Sequence, residues 1–282
     1  MKNINWMIND RDIVVNYCGQ IHTVSKTNSL SNYLINLIKE NNLYKIPEII
    51  SFIENSFIPK ELRNRIEEHI KDGLPYKNLL NFAKNLQDNP SFRVYNNLFS
   101  FLEKNNQFIT KDGYFLAYKK VSPKLSDFDI NQCTESAALQ LGETRSDANR
   151  RVCNELRKVI NHNQIDTNSI GSIVEVTRNQ INDDPISRCS NALNVASLDY
   201  ILIDNVVYNS DTRIIEVEVN PADVVSIPLI YYTQSMMRVC KYKVISVFDY
   251  NTSKVENFLT EEDIIDDEYE VLEDEYLEEI EW

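Results

Sequence analysis

The residue with the clearest chemical potential is Cys189, which follows Asp183, Asp184 and Arg188 within one short polar segment. A thiolate is a strong nucleophile, but it forms near neutral pH only where a neighbouring imidazole or cation lowers the thiol pKa. The chain has His22, His69 and His162, and none of them lies in a segment that pairs with Cys189. Cys189 therefore reads as a packed or surface thiol, the common state of a free cysteine. Cys133, Cys153, His162 and Cys189 could be imagined as a zinc set. Structural zinc sites use ligand pairs at short spacing, and these four are scattered. With Cys18 and Cys240 the cysteines number five, with no CxxC pair, which points to free thiols in a reducing compartment. The expectation is a non-enzyme with no catalytic residue, cofactor or metal.

Two other segments carry charge chemistry. Between 144 and 162, Arg145, Arg150, Arg151, Arg157 and Lys158 surround the apolar series Ala148, Val152, Leu156, Val159 and Ile160. Such a helix could meet nucleic acid or an anionic membrane. Five bases are offset by two acids, so a solvated helix face is the better reading and nucleic acid is not an expected partner. At the C-terminus, residues 260–282 hold thirteen acids and no Lys or Arg. They account for nearly all of the net charge of -14, because the rest of the chain has thirty acids against twenty-nine bases. Ile265, Tyr269, Leu272, Tyr276 and Ile280 recur among these acids at helical spacing, and Trp282 ends the chain. Acidic disorder is poor in such residues. These six are the candidate partner-binding residues, on a helix that docks into a partner groove. A decoy for a basic surface and a solubilising tail are the other readings.

The elements that position these residues read as an α+β protein. Asp12–Tyr17 and Gln20–Val24 form a β-hairpin about Cys18-Gly19. Four helices follow as a small bundle. One carries Leu30, Leu34, Leu37 and Ile38, capped by Asn28 or Ser29, and one carries Leu62, Ile66 and Ile70 between Pro59 at its first position and a stop at Asp72-Gly73. The third carries Leu79, Leu80, Ala83 and Leu86. The fourth starts at Asn89-Pro90 with Phe92, Tyr95, Leu98, Phe99 and Leu102 on one face. Strands are expected over Tyr114–Val121, Ser172–Thr177, Ile214–Val219 and Arg238–Val247, in a mixed or antiparallel sheet. The expected organisation is a β-hairpin segment over 1–26, a helical bundle over 27–106, a sheet domain over 107–250 with a helical insert at about 131–168, and an acidic amphipathic tail over 251–282. Asp223 lies where Asn220-Pro221 ends a strand and begins a turn, which gives it a scaffold role.

Four motifs in the same order carry a family resemblance. They are Asp112-Gly113-Tyr114-Phe115-Leu116-Ala117-Tyr118-Lys119, Asn182-Asp183-Asp184 through Cys189-Ser190, Asn220-Pro221-Ala222-Asp223-Val224-Val225-Ser226-Ile227-Pro228, and Met237-Arg238-Val239-Cys240-Lys241-Tyr242-Lys243-Val244-Ile245. Together they resemble the rIIB protein family of T-even bacteriophages. The resemblance implies a role in infected bacteria beside a large rIIA-like phage protein, or another phage or host protein, in lysis timing or in protection against exclusion by a resident prophage. It implies a place in the host cytoplasm with peripheral attachment at the inner membrane, and it carries over no catalytic residues. The longest uncharged stretch, Val224–Met237, is well short of the roughly 20 apolar residues that span a bilayer. Two rival classes are a virion or cargo component and an ADP-ribosyltransferase-like enzyme. The second rests on the order of strand, Cys-Ser loop, short helix and strand up to Val219, without a His-Tyr-Glu set.

Overall fold

The computed structural model describes residues 4–121, 168–187, 192–202, 213–229 and 235–248. The Arg-rich segment, Cys133, Cys153, His162, Arg188, Cys189 and the six candidate tail residues lie outside the described residues. The chain opens with three antiparallel strands, β1 (Ile4–Ile8), β2 (Asp12–Tyr17) and β3 (Gln20–Ser25), with β2 in the middle. The expected hairpin is there, extended by β1 into a meander. Cys18 and Gly19 take φ of 52° and 80°, the left-handed pair that a two-residue hairpin loop requires. Ile13, Val15 and Val24 face the core.

Five helices follow, α1 (Ser31–Lys39), α2 (Ile46–Glu54), α3 (Lys60–Lys71), α4 (Lys77–Gln87) and α5 (Phe92–Lys104). The sequence predicts four, and α2 is the addition. Its Ile46, Ile49, Ile50 and Ile53 follow the i, i+3, i+4, i+7 pattern of a helix face, a signal absent from the expected set of helices. In the fold Pro47 sits in the first turn, where its missing N–H has no helical acceptor to lose. Pro59 is the N-cap of α3 rather than its first helical residue, with an extended ψ of 144°. The expected stop at Asp72-Gly73 is present. Gly73 has φ 71°, and the Leu74 N–H donates to the His69 carbonyl at 2.8 Å, as in a Schellman end. Asn28 Oδ1 accepts from the Leu30 N–H just before α1, whose N-cap Leu30 has no side-chain cap. Phe92, expected on the apolar face of α5, is 81% exposed. As the first residue of the helix it leans past the N-terminal end, and Val94, Leu98, Phe99, Phe101 and Leu102 make the buried face.

The larger sheet has the order β5-β10-β7-β4-β6-β9-β8, and every described pairing is antiparallel. Its strands are β4 (Phe115–Val121), β5 (Ile173–Glu175), β6 (Leu193–Ala196), β7 (Arg213–Val219), β8 (Val224–Ser226), β9 (Met236–Val239) and β10 (Lys241–Phe248). The one strand expected over Arg238–Val247 is two strands, broken at Cys240. β9 and β10 stand four places apart in the sheet yet are joined by that single residue. Four places in a flat sheet are about 19 Å, so the sheet must curl until its halves meet at Cys240. The junction is hydrogen-bonded: the Cys240 N–H donates to the Asp223 carbonyl and the Cys240 carbonyl accepts from the Val176 N–H, each at 2.9 Å. One hydrophobic cluster runs from Ile13 to Val244 and takes in both sheets and all five helices. Helix α4 packs on the 3-10 turn Pro221–Asp223, and α5 packs on β8.

Candidate functional site

The motif residues that carry the resemblance meet at the seam between the helices and the curled sheet. Asn220 Oδ1 accepts from the Ala222 N–H at 2.9 Å, which caps the turn Pro221–Asp223. The turn exposes its carbonyls, and two side chains from distant elements satisfy them. Asn89, 7% exposed just before α5, donates through Nδ2 to the Pro221 carbonyl at 2.7 Å and to the Val224 carbonyl at 2.8 Å. Its Oδ1 accepts from the Ser91 N–H at 2.8 Å and from Arg178 Nη2 at 3.2 Å. Arg178 also donates to the Ala222 carbonyl at 2.8 Å and the Val224 carbonyl at 2.7 Å. One amide and one guanidinium thus tie three segments together.

Asp223 and Cys240 lie beside this hub. Cys240 Sγ faces Asp223 Oδ1 at 3.7 Å, within reach of a weak S–H donor. Burial raises the Asp223 carboxyl pKa, with Lys241 and the Cys240 thiol pulling against it. Burial, then the Asp223 charge, raises the Cys240 thiol pKa in turn. This thiol is held protonated, the reverse of what a nucleophile needs. Lys241 pairs instead with Glu175 across the strands at 2.9 Å.

A second link joins α4 to the turn before β4. Asn78, Asn81 and Asn85 lie along one face of α4 and donate to the carbonyls of Ile109, Lys111 and Asp112, at 3.5, 2.8 and 2.9 Å. This approach explains Gly113, whose φ is 78° and on which a Cβ would fall 2.3 Å from the backbone of Asn81 and Phe82. A third link holds the Asn182–Ser187 loop. Arg238, 2% exposed on β9, donates to the carbonyls of Asn182 at 3.3 Å, Asp184 at 2.7 Å and Ser187. Asp184 Oδ1 takes the Ile186 N–H at 3.1 Å, so Asp184 is occupied inside its own loop. Lys119, 1% exposed in β4, donates to the Asn194 carbonyl at 3.1 Å.

The two described histidines, His22 and His69, have partners of their own in the N-terminal half. His22 Nδ1 meets Glu54 Oε1 at 2.8 Å, and His69 Nδ1 meets the Pro75 carbonyl at 2.7 Å. Among the described residues no three His, Cys, Asp or Glu side chains gather as a metal site would need. Sequence reasoning places a turn at Asn220-Pro221, and the turn is there; its side-chain cap is Asn220, while the Asp223 carboxylate faces the Cys240 thiol. The same reasoning misses Asn89, Arg178, Arg238 and the α4 asparagines. Arg238 gave no signal either, because strand alternation sets it on the face opposite the core residues Met237 and Val239, where the Asn182–Ser187 loop covers it.

The family model described as bacteriophage T4 protein rIIB matches residues 151–281, a stretch that includes the Arg178 and Arg238 links and most of the acidic tail. Protein rIIB of Enterobacteria phage T4 is 32% identical over 194 residues, which is 69% of this chain and 50% of that protein. The chain therefore spans about half the length of that relative. No solved structure matches.

Proposed function

We propose that this chain, a phage protein of the rIIB type by its sequence, works in infected bacteria through protein contacts, in lysis timing or in protecting the phage against exclusion. The observation that carries this reading is the family match, which runs to residue 281 and so takes in the acidic amphipathic tail. The described motif residues are occupied in holding the fold, as the hub of Asn89 and Arg178 shows. This supports a reading in which contact surfaces are the working parts. The partner is an rIIA-like phage protein or another phage or host protein, and Ile265, Tyr269, Leu272, Tyr276, Ile280 and Trp282 are the contact residues. The site of action is the host cytoplasm, with the inner membrane reached through the partner. Among the described residues no helix is long and apolar enough to cross a membrane.

The test is a phage deleted for this gene, complemented by the full chain or by the chain ending at residue 259. The deletion is expected to shift lysis time at high multiplicity or to lower plating on a host with a resident prophage by tenfold or more. The full chain should restore both and the shortened chain neither. A deletion phage that lyses and plates like its parent would overturn the reading. Particles that assemble poorly without the gene would favour a virion component instead.

A further inference from the structure

One edge of the buried face of helix α5 borders a groove. Val94, Asn97, Phe101 and Lys104 follow one another at three- and four-residue steps, and with Arg93, Ser100, Ile227 and Leu229 they line an open groove of ≈ 360 Å³. Its floor is apolar, with Leu229 54% exposed. Arg93 and Lys104 are exposed and stand near its two ends, eleven residues or about 16 Å apart along the helix. Among the described residues no acid lines the groove, and neither base is in an ion pair with a described residue.

We propose that this groove receives the acidic C-terminal segment of the same chain, over about 263–282. Charge complementarity singles out this occupant: residues 260–282 contribute thirteen acids and no base, against a rim whose described residues include two bases and no acid. The dimensions agree as well. Tyr269, Leu272, Tyr276 and Ile280 span eleven residues, which on a helix is the same length, about 16 Å, as the groove. An amphipathic helix laid there puts its apolar stripe on Leu229 and on the edges of the buried Val94, Phe101 and Ile227, and its flanking carboxylates on Arg93 and Lys104. The connection reaches. Twenty residues lie between Phe248, the end of β10, and Tyr269. Extended, they span about 66 Å, against a radius of gyration of about 19 Å for a compact chain of this length. Docking in this way would also cover the stripe until a partner displaces it. The inference stands apart from the proposed function, because it concerns the isolated chain.

Hydrogen exchange on the purified full-length protein tests it, comparing wild type with the R93E/K104E variant at low salt. Amides of 263–282 should exchange tenfold or more slowly in wild type, equally at two protein concentrations, and should lose that protection in the variant while α5 and the sheet keep theirs. A salt series on wild type is the second measurement, since raising ionic strength from about 0.05 to 0.5 M should weaken an ion-assisted contact even if the variant folds poorly. A tail that exchanges freely in wild type would overturn the proposal. So would protection indifferent to both salt and charge reversal. Protection that grows with protein concentration would overturn docking within one chain and assign the groove to a second copy.

Discussion

Replacing Gly113 by alanine should cost about 3–5 kcal/mol of stability, whereas the same change at Gly73 should cost about 1–2 kcal/mol. Both glycines have a left-handed φ, 78° and 71°, so both variants carry the backbone penalty of an L-residue there. The surroundings separate them. At Gly73 a Cβ meets nothing within 4 Å, while at Gly113 it falls 2.3 Å from the backbone of Asn81 and Phe82. Helix backbone cannot swing aside as a side chain can. The turn must therefore withdraw from α4, stretching the bonds from Asn81 to the Lys111 carbonyl and from Asn85 to the Asp112 carbonyl. Urea unfolding of both variants beside wild type reads the difference directly. Equal losses would mean that the close approach of α4 to this turn does not exist in solution.

Arg238 gives the second large effect. R238M keeps much of the side chain's length and apolar bulk but removes every donor, leaving the carbonyls of Asn182, Asp184 and Ser187 without the buried guanidinium that gathers them. Hydrogen bonds from a charged donor are worth about 1.5–3 kcal/mol each and are not additive, so a loss of about 3–5 kcal/mol is expected. That is a large part of the 5–15 kcal/mol typical of a whole domain. R238K should rescue little, because an ammonium lacks the planar fork that reaches several carbonyls at once. The readout is again the urea midpoint, joined by faster hydrogen exchange over 182–187. A loss under about 1 kcal/mol with an unchanged loop would show that the guanidinium is not what holds it.

These two residues also show where sequence reasoning reaches and where it stops. Local signals were legible. Cys18-Gly19 marks a hairpin because only left-handed backbone closes a two-residue loop, and Asp72-Gly73 stops α3 for a related reason. The β-branched, alternating run of β7 from Ile215 to Val219 marks one buried face. What escaped depends on distant chain. Nothing near Cys240 announces that the strand around it must serve both halves of a curled sheet. Helix α2 is the exception, because Pro47 in its first turn and the Ile46, Ile49, Ile50, Ile53 series are both local helix signals. Asn89 and the Pro221 and Val224 carbonyls it serves are more than 130 residues apart, and a side chain that bonds to backbone leaves no mark on the acceptor's residue type. The site was legible as a motif and illegible as a hub for that reason.

The central claim, action through protein contacts made by the tail, is tested most directly by affinity purification of the tagged protein from infected cells, with and without residues 260–282. The account predicts that the full chain recovers one large phage protein, or a defined host protein, in near-stoichiometric amount from a membrane-associated fraction. It predicts that the shortened chain, folded and expressed equally, recovers it at least tenfold less. Equal recovery by both chains would contradict the role given to the tail. Recovery of no partner at all, or of capsid and tail proteins instead, would contradict the account as a whole.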